Sequence, residues 1–259
     1  MKKPYLGLMI VLSLLANIAW AETLIEVRNA QGQTQQVYIG EDYARMQVTD
    51  TKQAAQGYQL IDLKMHKVYM VNSAEKRYFD PSIMRLSQNQ RQHQPRQAMP
   101  NMPPMFRGQN TPPPVSAELV KVEGDTLEVA GYSTEHYQVM ANGQVCSDEY
   151  ISKQAAELGS IAQFDKTMQA IKEQQQANMP TPPRQHPCAQ AHQELEAQIQ
   201  ALGMRMKSVY AMGQLAGKVR TEVVTVKTDS QVADSFYSLE GFTPLTVQEI
   251  QQMMQPRRH

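Results

Sequence analysis

The sequence lacks the marks of several large protein classes. Basic and acidic side chains balance, with 25 of each among 259 residues, so it has no basic excess of the kind that nucleic-acid binding requires. Two cysteines are too few for a small fold built on disulfides. Beyond the N-terminal leader, no apolar stretch reaches the roughly 18 residues of a membrane-spanning helix. We therefore expect a soluble globular protein of one domain, or two small ones, with some disordered segments.

Catalytic signatures are missing as well. The chain has no G-x-S-x-G nucleophile turn, no H-E-x-x-H zinc motif, no Walker loop and no G-x-G-x-x-G opening a helix after a strand. Asp148 and Glu149 are adjacent acids, but neighbouring residues of a strand point to opposite faces. The acidic pair Glu194 and Glu196 is expected to be solvated on a helix. The sequence thus predicts a protein without enzymatic activity.

Residues 1–21 have the pattern of an export signal. Lys2 and Lys3 precede an apolar run, and Ala19 and Ala21 supply the small residues that a signal peptidase reads. We predict cleavage after Ala21; the alternative is an uncleaved anchor, because the leader is nearly long enough to cross a bilayer. No cysteine precedes Cys146, so the mature chain is not expected to be a lipoprotein. Because no long apolar stretch follows the leader, we do not expect the mature chain to span a membrane. The predicted location is periplasmic or secreted.

The two cysteines, Cys146 and Cys188, are predicted to form a disulfide. An exported chain meets oxidising conditions, which favour a bond between them over free thiols. The alternative is a reactive or metal-binding thiol, although the chain lacks C-x-x-C spacing. A metal site of Cys188 with His186 and His192 is conceivable, but it competes with the disulfide.

Short β-prone runs separated by turn residues fill much of the mature chain. Residues 22–86 are predicted to form an antiparallel meander, because apolar and polar residues alternate within its runs. Residues 116–255 are predicted to complete the same domain with strands and helices, followed by a polar tail over 256–259. The predicted strands cover 23–28, 33–39, 44–49, 58–63, 67–71, 76–79, 116–122, 126–130, 133–140, 144–150, 204–212 and 218–228, and the predicted helices cover 153–176, 187–203 and 246–254.

The segment between the two halves has a different composition. It is rich in Pro, Gln, Asn and Arg and poor in large aliphatic side chains other than methionine. Such a segment cannot bury enough apolar surface to offset the entropy lost on ordering. We therefore predict a disordered insertion over residues 87–115.

Methionines in this insertion suggest a second kind of chemistry. Met99, Met102 and Met105 recur at a spacing of three, and His93 lies upstream. Thioethers are soft ligands suited to Cu(I), so these four residues form a candidate copper site. The alternative is a bare linker, or a proline-rich peptide that lies in a partner's groove.

Three stretches of the chain resemble a known family. They are Tyr58–Leu63 with the tyrosine-containing Lys67–Val71, then Val129–Tyr137, and finally Ser235–Phe242. They are similar to segments of the DUF4412 family of exported bacterial proteins, and more distantly to the LolA/LolB lipoprotein-carrier superfamily. The resemblance implies an incomplete antiparallel barrel whose concave, apolar face is covered by helices. In the LolA/LolB relatives, that cavity holds acyl chains.

These observations predict an α+β fold, a curved antiparallel sheet of LolA/LolB type covered by helices. The side chains proposed to face a ligand recur at helical spacing: Leu158, Ile161, Phe164, Met168 and Ile171. The alternative for these residues is ordinary core packing. The predicted function is non-catalytic binding or carriage of a lipid, an acyl chain or a lipidated envelope protein, without a cofactor. The alternative is an envelope interaction or Cu(I)-handling protein that acts through the Met/Pro-rich insertion.

Overall fold

The computed structural model describes residues 22–49, 57–82, 115–176 and 186–254. The predicted leader, the tail and nearly all of the predicted insertion lie outside these ranges. The strands are β1 (Glu22–Asn29), β2 (Thr34–Ile39), β3 (Tyr43–Val48), β4 (Gly57–Asp62), β5 (Lys67–Asn72), β6 (Arg77–Phe79), β7 (Ala117–Val129), β8 (Tyr132–Ala141), β9 (Gln144–Ser152), β10 (Met204–Tyr210), β11 (Val219–Ser230) and β12 (Thr243–Pro244). The helices are α1 (Lys153–Ala156), α2 (Gly159–Gln176), α3 (Pro187–Leu202) and α4 (Val247–Met254), with short 3₁₀ turns at Gly213–Leu215 and Asp234–Tyr237.

The described strands form one sheet with the order β12-β6-β5-β4-β3-β2-β1-β11-β10-β9-β8-β7. Two meanders, β1 to β6 and β7 to β11, are joined by the antiparallel pairing of β1 with β11. The short β12 adds to β6 in parallel, and the other pairings are antiparallel. The predicted class, a largely antiparallel sheet with helices against it, is confirmed.

The sheet is curved and does not close. Four strand spacings separate β7 from β11 in the strand order. In a flat sheet, the two strands would therefore lie about 19 Å apart. Nevertheless β7 contacts β11, and Val129 and Tyr132 at the β7–β8 turn pack into the same core as Val223 of β11. The C-terminal strands therefore curl into an incomplete barrel, as predicted.

Two predicted boundaries differ from the structure. The expected strands 116–122 and 126–130 form one strand, β7, whose register with β8 shifts between Lys121 and Thr126 around the positive-φ residue Gly124. The expected helix 153–176 is divided into α1 and α2, since Gly159, a poor helix former, starts the second segment. The strand β12 and both 3₁₀ turns were not predicted.

Helix ends follow the sequence signals closely. Pro187 occupies the start of α3, and Gly203 follows its last residue, as expected. Thr246 caps α4 reciprocally with Glu249: the Glu249 amide donates to Thr246 Oγ1 at 3.3 Å, and the Thr246 amide donates to Glu249 Oε2 at 2.8 Å.

The buried apolar residues form three clusters. The inner cluster lies between α2 and the sheet and contains Ile25, Val37, Ile39, Ala44, Ile61, Leu63, Val129, Ala155, Ile161, Ile171, Met206 and Val223. The α3 cluster contains Tyr137, Val139, Ala141, Cys146, Ile151, Ala191, Leu195 and Ile199. The outer cluster, on the opposite face of the N-terminal strands, is built on Tyr58, Leu60 and Val71, with Tyr237, Leu239 and Phe242 packed against it.

Candidate functional site

Helix α2 crosses one end of the N-terminal strands. Thr23 Oγ1 of β1 lies 2.6 Å from Ser160 Oγ at the start of the helix. One turn on, Gln163 Nε2 donates to the Glu41 carbonyl at 3.2 Å, and Thr167 Oγ1 donates to the carbonyl of Leu63 at 3.3 Å. These contacts fix the helix over the β2–β3 turn and the end of β4.

The five side chains predicted to face a ligand belong to this helix and the turn before it. Ile161 and Ile171 are fully buried in the inner cluster, so they contribute to the core. Leu158, Phe164 and Met168 pack against the same cluster but remain half-buried. Among the five, the half-buried three are those that a ligand can reach.

Strand register shows how far the cover of α2 extends. Paired residues lie on the same face of a sheet, so Thr23, Ile39, Ala44 and Ile61 form one transverse row on the inner face. These four residues are at most 3% exposed, whereas Val68, the partner of Ile61 on β5, is half-buried. The helix thus shields the row nearest to the strand ends that it crosses.

On the same face, exposure depends on the place within a row as well as on distance from the helix. In the next row Ile25 and Val37 are buried, whereas Met46, Met70 and Phe79 are half-buried. The row beyond it carries Val27 and Val48, which are also half-buried. Four polar residues, Gln35, Gln59, Asn72 and Arg77, interrupt these rows. We call the surface formed by Val27, Met46, Val48, Met70 and Phe79 the apolar shelf. Val27 and Met46 also pack against the inner cluster, so the shelf is a partly exposed margin of that core.

The opposite face of the same strands is covered by the segment that contains the second 3₁₀ turn. Arg45 lies between two rings, with its guanidinium carbon 3.7 Å from the centroid of Tyr58 and 4.1 Å from that of Phe236. Its Nη1 also donates to the Phe236 carbonyl at 3.0 Å. Burial lowers the pKa of Arg45, and Tyr58 opposes that shift. The contacts with both rings also stabilise the guanidinium. This residue clamps the C-terminal segment to the sheet.

Beside this clamp lies a cavity of about 640 Å³ on the outer face. Its lining residues are Glu22, Gly40, Glu41, Asp42, Tyr43, Leu60, Asp62, Met65, Tyr69, Tyr78, Tyr237, Ser238 and Leu239. We call it the tyrosine cavity. None of the five residues predicted to bind a ligand lines it, because they lie on the inner side of the sheet.

A buried polar network lies under α3 and was not anticipated. Glu149, which is 0% exposed, accepts hydrogen bonds from the hydroxyls of Ser147 at 2.6 Å and Ser208 at 2.9 Å. Arg205 Nε lies 3.0 Å from its second carboxylate oxygen. Burial raises the pKa of the Glu149 carboxyl, and the charge of Arg205 opposes that shift. As expected, the side chains of Asp148 and Glu149 point to opposite faces of β9, since Asp148 contacts His136 on the other face.

This network includes a serine and a histidine but is not arranged as a nucleophile and its base. Ser147 Oγ lies 3.0 Å from His192 Nε2, but the hydroxyl proton is donated to Glu149 and the serine is buried. Burial, followed by the charges of Arg220 and Arg205, lowers the pKa of His192 to about 4. The geometry is that of an internal polar network between α3 and the sheet, in which Glu149 and Arg205 form a partly buried ion pair.

The predicted disulfide is present between Cys146 of β9 and Cys188 of α3, whose Cα atoms are 5.5 Å apart. Because Cys188 is oxidised, the conceivable metal site with His186 and His192 has no thiolate to offer. His186 instead caps α3 by accepting from the Cys188 amide. In the described part of the chain, no three His, Cys, Asp or Glu side chains are grouped to hold a metal.

The candidate copper ligands His93, Met99, Met102 and Met105 lie outside the described residues. That hypothesis therefore stays a prediction from the sequence.

Comparison with known proteins yields structural likenesses but no family. The chain matches no family model, so its resemblance to the DUF4412 and LolA/LolB families stays a prediction. No curated protein matches it either. An uncharacterized conserved protein from Thermus thermophilus aligns with 88% of this chain and 91% of its own, at 9% identity and a TM-score of 0.37. MucB aligns with 85% of this chain and 57% of its own, at 10% identity and a TM-score of 0.34.

Both of these structural likenesses are low, and we draw no functional conclusion from either. Among the described residues, no helix has the length and apolar character needed to span a membrane.

Proposed function

We propose that this protein is a non-catalytic binding or carrier protein of the cell envelope that holds an apolar ligand on the apolar shelf. The observation that carries the proposal is the partial exposure of large apolar side chains on the inner face. Ile25 and Val37 are buried, whereas Met46, Met70 and Phe79, farther along the same row, are apolar and only half covered. A concave, mostly apolar surface with few polar groups suits a lipid or an acyl chain.

The ligand would lie against the shelf and touch the half-buried side chains of α2. Phe164 and Met168 are the residues of that helix that combine apolar character with partial exposure. Methionine side chains adapt to ligands of variable shape, because they are unbranched and polarizable. Contact with an acyl chain would cover the parts of these apolar side chains that the sheet and the helix leave exposed.

An envelope location is part of the proposal. The leader pattern at residues 1–21 and the disulfide between Cys146 and Cys188 both suit a chain that folds in an oxidising compartment. A lipidated partner protein would present the same chemistry as a free lipid, since the recognised group in both is an acyl chain.

The first test is native mass spectrometry of the mature chain purified from the periplasm without added ligand. A lipid mass that co-purifies and is lost on unfolding would support the proposal. If the isolated protein carries no such mass and fails to bind a fluorescent fatty-acid analogue, the proposal is wrong.

A matched pair of variants locates the site. Met70→Glu places a charge on the apolar shelf, and we expect at least a tenfold loss of affinity for the fatty-acid analogue, because an ionised carboxylate against an acyl chain is costly. Met65→Glu makes the same replacement at a methionine that is 57% exposed on the outer side, and its affinity should stay within twofold of the wild type. Circular dichroism confirms that both variants fold. Equal affinities in two folded variants would rule out the shelf as the site.

A further inference from the structure

The tyrosine cavity has an unusual lining. Its aromatic residues are Tyr43, Tyr69, Tyr78 and Tyr237, and its acidic residues are Glu22, Glu41, Asp42 and Asp62. Among the described residues that line it, none is Lys, Arg or His. The cavity therefore combines electron-rich ring faces with carboxylates and has no cation of its own.

Strand register and the C-terminal segment bring these residues together. Tyr43 of β3 is paired with Asp62 of β4, and Leu60 is paired with Tyr69, so all four project from the outer face. Tyr69 and Tyr78 pack edge to face, with ring centroids 5.8 Å apart. Tyr237, Ser238 and Leu239 close the cavity from the opposite side. The rings are thus held by the sheet and by its cover, and the site is preformed.

Part of the acidic charge has partners within the protein. Lys64 Nζ pairs with Asp42 at 2.6 Å in a solvent-exposed pair, Lys67 is the cross-strand partner of Asp62, and Glu22 is hydrogen-bonded with Tyr237. Asp62 accepts hydrogen bonds from the amides of Lys64 and Met65 at 3.0 and 2.7 Å, which satisfies one oxygen and leaves its charge in place. Burial, followed by the charge of Asp62, raises the pKa of Tyr69, so its phenol stays neutral. The lining itself thus presents four carboxylates and neutral rings, and the neighbouring cations lie outside it.

We propose that the tyrosine cavity is a second binding site, for an organic cation of the polyamine class that carries ammonium groups. Aromatic faces attract ammonium groups through the ring quadrupole, and nearby carboxylates add charge attraction. The volume of about 640 Å³ lies within the range of small-molecule sites and exceeds what one ammonium group needs. The shelf and this cavity lie on opposite faces of the same strands, so this proposal does not depend on the lipid hypothesis.

Calorimetric titration of the full mature chain with spermidine tests the proposal. The wild type should bind one equivalent, and affinity should fall as sodium chloride is raised from low to physiological concentration, since the attraction is screened. Trilysine peptide serves as the second ligand. Tighter binding of trilysine than of spermidine would identify lysine side chains of a partner as the source of the same ammonium chemistry.

Variants at Met65 separate the cavity from general surface charge. Met65→Lys puts an ammonium beside the carboxylates and should weaken spermidine binding about tenfold, whereas Met65→Glu should strengthen it. The control Leu127→Lys adds the same charge at an exposed position on β7, outside the cavity lining, and should bind as the wild type does. Tyr43→Leu, at a ring 37% exposed, should weaken binding by removing one aromatic face. Absence of binding to both cations, or equal affinity in the Met65→Lys and Met65→Glu variants, would overturn the proposal.

Discussion

Removing the disulfide should destabilise the protein by about 4 kcal/mol. Cys146 and Cys188 are separated by 42 residues, so the bond closes a loop of 43 residues. Loop-closure entropy in the unfolded chain then predicts about 13 cal/mol/K, or about 4 kcal/mol at 25 °C. In a domain of this length, that corresponds to a fall in Tm of roughly 8–16 °C. The bond also ties the start of α3 to the buried strand β9, so its loss should loosen the helix first.

The assay is urea unfolding of the wild type and of the double variant Cys146→Ala/Cys188→Ala. Alanine is preferred to serine because Cys146 is buried, and a hydroxyl there would add a desolvation cost. The dependence of the free energy of unfolding on urea should also steepen in the variant, because its unfolded chain is more expanded. Dithiothreitol should lower the stability of the wild type by a similar amount and leave the variant unchanged. A loss below about 1 kcal/mol in both experiments would refute the loop-entropy reasoning.

Two further predictions concern His192 and Arg45. Burial holds the pKa of His192 near 4, below its usual 6.5, so protonation favours the unfolded chain and stability falls as pH drops from 6.5 towards 4. Between pH 7.5 and pH 5, the free energy of unfolding of the wild type, measured in urea, should fall by about 1–2 kcal/mol more than that of the His192→Gln variant. Identical pH dependence of the two proteins would contradict this prediction. Arg45→Met removes the contacts with Tyr58 and Phe236, so it should lower the free energy of unfolding by about 2–3 kcal/mol and speed amide exchange in the covering segment. The control Arg28→Met, at a side chain that is 51% exposed, should change stability little. Equal effects of the two arginine variants would argue against the clamp.

Local sequence signals predicted most of the fold. Alternation of apolar and polar residues correctly placed the strands, including Ala44–Val48 within β3, because one face of each strand packs on a core. The dipeptide Asn142-Gly143, typical of tight hairpin turns, lies between β8 and β9, and both of its residues have positive φ. The pairing of β1 with β11 was not predicted, because it joins segments almost 200 residues apart and no local pattern encodes it.

The candidate sites were predicted less well than the fold. Helical spacing identified the apolar stripe of α2, yet it could not separate Ile161, which is core, from Phe164, which remains half-buried. That difference depends on where the helix crosses the sheet, and contacts such as Thr167 to Leu63 decide it. The tyrosine cavity depends on the C-terminal segment lying over distant strands. The buried carboxylate Glu149 was read as an unremarkable strand acid, because its serine and arginine partners come from two different strands.

Coverage, and not side-chain type, distinguishes core from binding surface in this sheet. Ala44 and Met46 belong to the same face of the same strand, yet α2 buries Ala44 completely and leaves Met46 half exposed. Arg45 between them points to the other face, where the C-terminal segment covers it and leaves a cavity beside it. A period of two assigns each residue to a face but carries no information about what lies above that face. The two surfaces proposed to bind ligands are therefore bounded by two covering elements, α2 and the segment around Phe236, each of which leaves part of its face uncovered.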